Sequence, residues 1–377
     1  MVKMIVLIGS VVLLVGAGMA FAQGVLTPQE QLGKNLFFDK NLSTPPGQAC
    51  AACHAANVGW TGPDQAINAG GAVYEGAVDG RFGNRKPPSA AYAGNSPILE
   101  YDTIWFGGMF WDGRATGWTL ADPLAEQAQG PFLNPLEQNN ASAQSVIHKV
   151  LASSYAPLFK QVCTDRDTVK RYECIGRSIA AYERSSEVSK YTSKYDYWRK
   201  GQARLTGEEL RGLQLFRGKA KCAKCHVEPL FTDFSYDNLG IPKNPLNPFY
   251  SELAYNPQGT SWVDYGLGDY LKATGYYDTS IYTPELGKFK VPTLRNVDRR
   301  PYPSFVKAYG HNGYFKSLRS IVHFYNTRDT ASWPQPEVSQ NVNTAQVGDL
   351  GLTGREERAI VAFLKTLSDG YRPATHH

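Results

Sequence analysis

Cys50-Ala51-Ala52-Cys53-His54 and Cys222-Ala223-Lys224-Cys225-His226 decide how this chain reads. Two cysteines three positions apart can reach both vinyl groups of one porphyrin, and the histidine that follows is placed to ligate its iron. Four cysteines in two such pairs can also hold zinc. That rival leaves unexplained why a histidine follows each pair immediately. The motifs therefore predict two covalently attached c-type haems, one on Cys50 and Cys53 with His54 as axial ligand, the other on Cys222 and Cys225 with His226.

Working outward, each motif follows the same local pattern. Leu26-Thr27-Pro28-Gln29-Glu30 runs through Gly33 to Leu36-Phe37, and Leu205-Thr206-Gly207-Glu208-Glu209 runs through Gly212 to Leu215-Phe216, at an offset of 179 residues. The loop before the cysteines is seven residues shorter in the second copy. Thr27 with Glu30 and Thr206 with Glu209 read as capping boxes, and apolar residues follow at helical spacing. A third box, Thr353 with Glu356, opens an amphipathic helix over Ala359 to Leu367. Ala141 to Tyr182 also reads as helical. The stretches Pro63 to Asn95 and Pro242 to Gly287, rich in Gly, Pro, Asn and Tyr, read as loops around the haem edges. No alternating run demands a large sheet. The expectation is a mainly α protein of two cytochrome c-like haem domains in tandem with long loops, residues 23–203 and 204–377. It leaves open that the terminal helix packs back on the first domain.

The first residues read as a secretory leader. Lys3 supplies the positive start, Ile5 to Val15 is apolar apart from Gly9 and Ser10, and Ala20-Phe21-Ala22 is a small-x-small cleavage site. Cleavage after residue 22 leaves 355 residues, enough for two domains; a retained N-terminal anchor is the competing reading. The expected compartment is the periplasm. The formal charge falls from +5 to +4 when Lys3 leaves, and four haem propionates would offset much of it. No basic run pairs with a recognition motif, so nucleic acid is not an expected partner. Of the six cysteines, Cys163 and Cys174 remain outside the haem motifs. In an exported chain they are expected to form a disulfide.

The far face of each iron is the more informative question, because electron-carrier haems usually take Met or His there. Met109 is the single methionine beyond the leader, so two His/Met haems are excluded. Beyond His54 and His226 the histidines are His148, His311, His323, His376 and His377, with none between His54 and His148. The loop after the first haem therefore offers no imidazole to close its iron.

Several segments resemble the bacterial dihaem cytochrome c peroxidase family: Phe110-Trp111-Asp112-Gly113-Arg114-Ala115, Gln127, Gly130-Pro131, Asn134-Pro135, Glu137, Val291-Pro292-Thr293-Leu294-Arg295-Asn296-Val297 and His311-Asn312-Gly313. The resemblance covers most of the chain beyond the leader and implies peroxide chemistry at the first haem with electron transfer through the second. It assigns Trp111 a place between the haems. Glu137 becomes the distal acid, Gln127 the distal amide, and Pro131 the small apolar group over the open coordination site. Fourteen residues after His311 the family's cytochrome-driven peroxidases carry Met as second-haem ligand, whereas MauG-type members carry Tyr; here the residue is Tyr325. A phenolate is a hard anionic donor that favours high iron oxidation states.

Two departures matter. The family holds calcium between its domains, partly through an Asn that follows an Arg, but Arg85-Lys86-Pro87-Pro88-Ser89 has Lys86 at that position. An ammonium cannot ligate calcium and can substitute for it electrostatically, so Ca2+ is not assigned. Ala220 stands before the second motif, where MauG-type members carry an aromatic exit residue. The preferred expectation is H2O2-driven oxidation of a periplasmic partner protein. Peroxide reduction with a small cytochrome c as donor comes second, and a dihaem electron carrier is a distant third. The family is often dimeric, which allows a homodimer.

Overall fold

The computed structural model describes residues 24–373; the expected leader, His376 and His377 lie outside the described residues. The first half supplies α1 (Pro28–Phe38), α2 (Gln65–Ala69), α3 (Pro123–Leu133), α4 (Ala143–Ala152), α5 (Ala156–Val162) and α6 (Thr168–Arg184). The second supplies α7 (Lys194–Arg199), α8 (Gly207–Arg217), α9 (Gly266–Ala273), α10 (Thr279–Tyr282), α11 (Leu318–Thr327) and α12 (Gly354–Lys365). Among the described residues strands are confined to two short antiparallel pairs. Glu100–Asp102 (β1) pairs with Ile104–Phe106 (β2), and Tyr236–Asp237 (β3) pairs with Phe289–Lys290 (β4). No helix of the described residues is long and apolar enough to cross a membrane.

All three capping boxes form at the starts of α1, α8 and α12. Each side chain satisfies a backbone N–H that the first helical turn would leave unpaired. Burial then follows the repeat: Leu32, Gly33, Leu36 and Phe37 on α1, Gly212, Leu213, Leu215 and Phe216 on α8. The two glycines mark the closest helix crossings. A Cβ at Gly33 would sit 1.8 Å from Ser178 O of α6, and one at Gly212 would sit 1.9 Å from Ala359 O of α12. Only a residue without a side chain lets these backbones touch. Each half thus builds its own apolar cluster, one around Phe37, Phe132 and Ile179, the other around Phe216, Phe231 and Phe363.

Three refinements emerge. The stretch expected as one helical region, Ala141 to Tyr182, is α4, α5 and α6. It breaks at Ser153–Tyr155, just before Pro157, and again after Cys163, which is disulfide-bonded to Cys174 with Cα atoms 5.8 Å apart. The terminal helix packs on α8 and α11 of its own half rather than on the first. It is the segment after it that reaches back. Asp369 accepts hydrogen bonds from Tyr92 Oη at 2.7 Å and Asn296 Nδ2 at 2.9 Å. Lastly, the long loops carry the short helices α2, α9 and α10.

Candidate haem-binding active site

Each Cys-x-x-Cys-His segment winds into a single tight turn after its helix. His54 N bonds to Cys50 O at 3.0 Å, and His226 N bonds to Cys222 O at 2.9 Å. The imidazoles are held alike. His54 Nδ1 donates to Trp60 O at 3.2 Å, and His226 Nδ1 donates to Phe231 O at 2.9 Å. Both acceptor residues have positive φ, 60° and 58°. That strain is held by their rings, which pack edge-on against the repeat phenylalanines, Trp60 on Phe37 at 5.8 Å and Phe231 on Phe216 at 5.9 Å. Burial pushes the His54 imidazole down to about 4 and lowers that of His226. Burial disfavours the charged form of both rings, and with Nδ1 donating to a carbonyl the Nε2 side is left for a metal. The four motif cysteines form no disulfide. Two thiols and one uncommitted imidazole nitrogen at each site fit covalent haem attachment.

At the second site a cavity is lined by Cys222, Cys225, His226 and Tyr325 together, with Val322, Leu352 and Ile360 as apolar walls. Tyr325 projects from α11 and its phenol oxygen makes no hydrogen bond among the described residues, while burial raises its pKa. His323, two residues earlier, is half-exposed and bonded through Nδ1 to Glu357 at 2.9 Å. Among nearby groups the phenol faces the cavity and the imidazole does not.

The residues expected over the first site lie on α3 and the turn after it. Asp122 caps α3, and Gln127 and Pro131, four residues apart, share one face of that helix. Glu137 follows the helix, its carboxyl oriented by Asn134 Nδ2 at 2.9 Å. Burial raises the Glu137 pKa, and the Arg114 guanidinium partly counters it. The next residue, Gln138, turns its Nε2 to Cys50 Sγ at 3.9 Å, which places this turn beside the first motif. His148 is taken up by Gln144 at 2.7 Å, and Met109 packs against Ala115 and Leu124.

Trp111 is buried and lines the same cavity as Tyr325. Its Nε1 donates to Lys86 O at 2.8 Å and its carbonyl accepts from Lys290 N at 2.9 Å. Its ring lies 6.5 Å from that of His311, which stacks on Phe289 at 3.5 Å. The neighbouring Asp112 accepts from Arg85 Nη1 at 2.7 Å and from Arg114 Nη1 at 2.9 Å. Arg85 also holds Asp264, joining the halves beside the tryptophan. The sequence did not flag Asp264, Lys290 or Lys307; the available signal was a charged residue embedded in a Gly-, Pro- and aromatic-rich loop.

This arrangement agrees with what known proteins share with the chain. Residues 27–204 match the family description "Di-haem cytochrome c peroxidase". The methylamine utilization protein MauG of Paracoccus denitrificans is 32% identical over 366 residues, covering 90% of this chain and 88% of that one. A cytochrome-c peroxidase of Denitromonas iodatirespirans is 28% identical, covering 89% and 80%. The crystal structure of the diheme peroxidase BthA from Burkholderia thailandensis superposes with a TM-score of 0.76 at 31% identity, covering 92% of this chain and 87% of that one. With two haem-ready turns and relatives matched along most of their length, the chain belongs to the di-haem cytochrome c peroxidase family and is a peroxidase-type oxidoreductase.

Proposed function

We propose that this is a periplasmic enzyme of the MauG type, in which H2O2 reacts at the first site and the second stores oxidising equivalents for use on a partner protein. Each haem, once attached, supplies an iron that exchanges electrons with peroxide or with the other site. Glu137 takes a proton from the bound peroxide and returns it to the departing oxygen. Burial raises the pKa of this carboxyl, which helps it hold the proton between the two transfers. Gln127 steadies the peroxide by hydrogen bonding, and Pro131, one turn on, keeps the approach small and apolar. Trp111, hydrogen-bonded on both its ring and its carbonyl, bridges the two sites.

The observation that carries the reading is Tyr325, an unpartnered phenol in the cavity that also holds Cys222, Cys225 and His226. Ligation through phenolate oxygen lowers the potential of an iron and favours its oxidised states, so the second site retains an oxidising equivalent instead of passing electrons readily. The test is electron paramagnetic resonance of the fully ferric protein followed by one equivalent of peroxide. One high-spin and one low-spin signal should vanish together into a long-lived state. Tyr325→Phe should change only the second haem's spectrum; an unchanged spectrum removes the ligand assignment.

Peroxide reduction with a small cytochrome c as donor is the second reading. It is favoured by the Denitromonas relative and by Ala220 at the aromatic exit position. Rapid turnover with reduced cytochrome c, dependent on prior half-reduction, would select it.

A further inference from the structure

The seam between the halves is crossed by buried lysines. Lys290 Nζ donates to Gly107 O at 2.7 Å and to Phe234 O at 3.1 Å. Lys307 Nζ donates to Val58 O at 2.8 Å, Asn296 O at 2.8 Å and Arg299 O at 3.1 Å. Lys316 Nζ donates to Gly70 O at 2.6 Å and Gly313 O at 2.7 Å. Each side chain therefore ties a carbonyl of the first half to one of the second. A fourth, Lys86, stands where the family resemblance leads one to expect a calcium-ligating Asn. Its Nζ is turned onto Thr61 Oγ1 at 3.0 Å and Pro87 O at 2.9 Å.

Calcium requires six to eight oxygens directed at one point. Here the seam carbonyls named above each accept from a lysine N–H. Lys86, an ammonium already turned onto two oxygens, does not fit the ion.

We propose that Lys290, Lys307 and Lys316 replace a bridging metal cation. They are positioning residues that lock the two halves, and with them Trp111, into an electron-transfer unit held together without calcium. Lys290 does this twice over: its Nζ grips the carbonyl four residues before Trp111, and its backbone N–H bonds the carbonyl of Trp111 itself. Lys86 completes the frame, taking Trp111 Nε1 on its carbonyl and giving its N–H to His311 O at 2.9 Å. Burying an ammonium is costly unless its donors are satisfied. Burial lowers Lys290 to about 7 and Lys316 to about 8. Lys307 is lowered too, by burial and then by the charge of Lys86. Against that, its three carbonyl acceptors match the three N–H bonds of an ammonium, whereas a neutral amine has two.

The inference takes from the proposed function only that Trp111 connects the sites. Its test uses the dihaem holoprotein. Metal analysis of the purified protein should find no stoichiometric calcium. The melting temperature and the joint response of both haem signals to peroxide should be unchanged by chelator or by millimolar calcium. Lys290→Met and Lys316→Met should each lower the melting temperature. Lys290→Met should also slow the second haem's response relative to the first by about tenfold to a hundredfold, the scale of a small misplacement. One calcium per chain, with chelation lowering the melting temperature, overturns the proposal. So do lysine variants that melt and respond like the unaltered protein. If a variant does not fold, the metal and chelator measurements decide on their own. If instead the protein turns out to be a cytochrome-driven peroxidase, the metal and melting results still stand, so the two failures are separable.

Discussion

Arg85→Met is the substitution that should strain this architecture most. The Arg85 side chain is 12% exposed and lies between Asp112, 10% exposed, and Asp264, 4% exposed. Removing it strands the buried Asp264 carboxylate in the second half and leaves Asp112 in the first with Arg114 alone. Breaking a buried pair by deleting one partner costs about 3–5 kcal/mol. Part of this can be followed by pH. Burial alone would raise the Asp112 pKa, but Arg85 and then Arg114 overrule it and hold the group at about 2, below its ordinary 3.8. A depressed carboxylate stabilises the fold above its unfolded pKa and loses that contribution as pH falls through the folded one; for Asp112 it is about 2 kcal/mol. Urea unfolding at pH 7 should therefore show a loss of about 3–5 kcal/mol. Toward pH 3 the gap to the unaltered protein should narrow by about 1 kcal/mol, and by about 2 kcal/mol once the pH falls below the folded Asp112 pKa. A loss below about 1 kcal/mol at pH 7, the scale of an exposed pair, would refute the reasoning. So would a gap that stays constant with pH.

Other expectations are quicker to check. Glu137→Gln should keep the haem spectra and slow the reaction with peroxide by about 10²–10⁴-fold, measured by stopped-flow absorbance. Gly212→Ala should cost about 1–3 kcal/mol because the new methyl meets Ala359 O. Gly207→Ala, with nothing within 4 Å of the added carbon, should be neutral or stabilising in the same melting assay. Reducing Cys163–Cys174, which closes a loop with a sequence separation of 11, should cost about 2–3 kcal/mol and lower the melting temperature without altering either haem band.

The sequence was most informative where the physics is local. Capping boxes at Thr27, Thr206 and Thr353 need only residues three apart, and all three form. The cysteine motifs carry their own geometry. The repeat placed Gly33 and Gly212 in equivalent positions, although only the coordinates show that both sit at helix crossings. The same locality explains why Ala141 to Tyr182 read as one helical stretch: apolar spacing continues through α4, α5 and α6, and the breaks are set by Pro157 and the disulfide. Contacts that depend on distant segments converging were invisible. A lysine in sequence reads as a surface charge; Lys307 is buried because carbonyls from residues 58, 296 and 299 meet at one point. The Arg85–Asp264 pair spans 179 positions and leaves no local trace. Glu137 stood out only through its Asn-Pro context and resemblance; the Asn134 hydrogen bond that aims it explains part of that context.

The matched backbone grips on His54 and His226 carry a practical corollary. Since the near sides are twins, whatever sets the two centres apart must be written on the opposite faces, which the proposed function assigns to α3 with its trailing loop and to α11. A protein engineer could therefore retune either centre by grafting a handful of side chains there, leaving the duplicated cradle, and the attachment machinery that reads it, untouched.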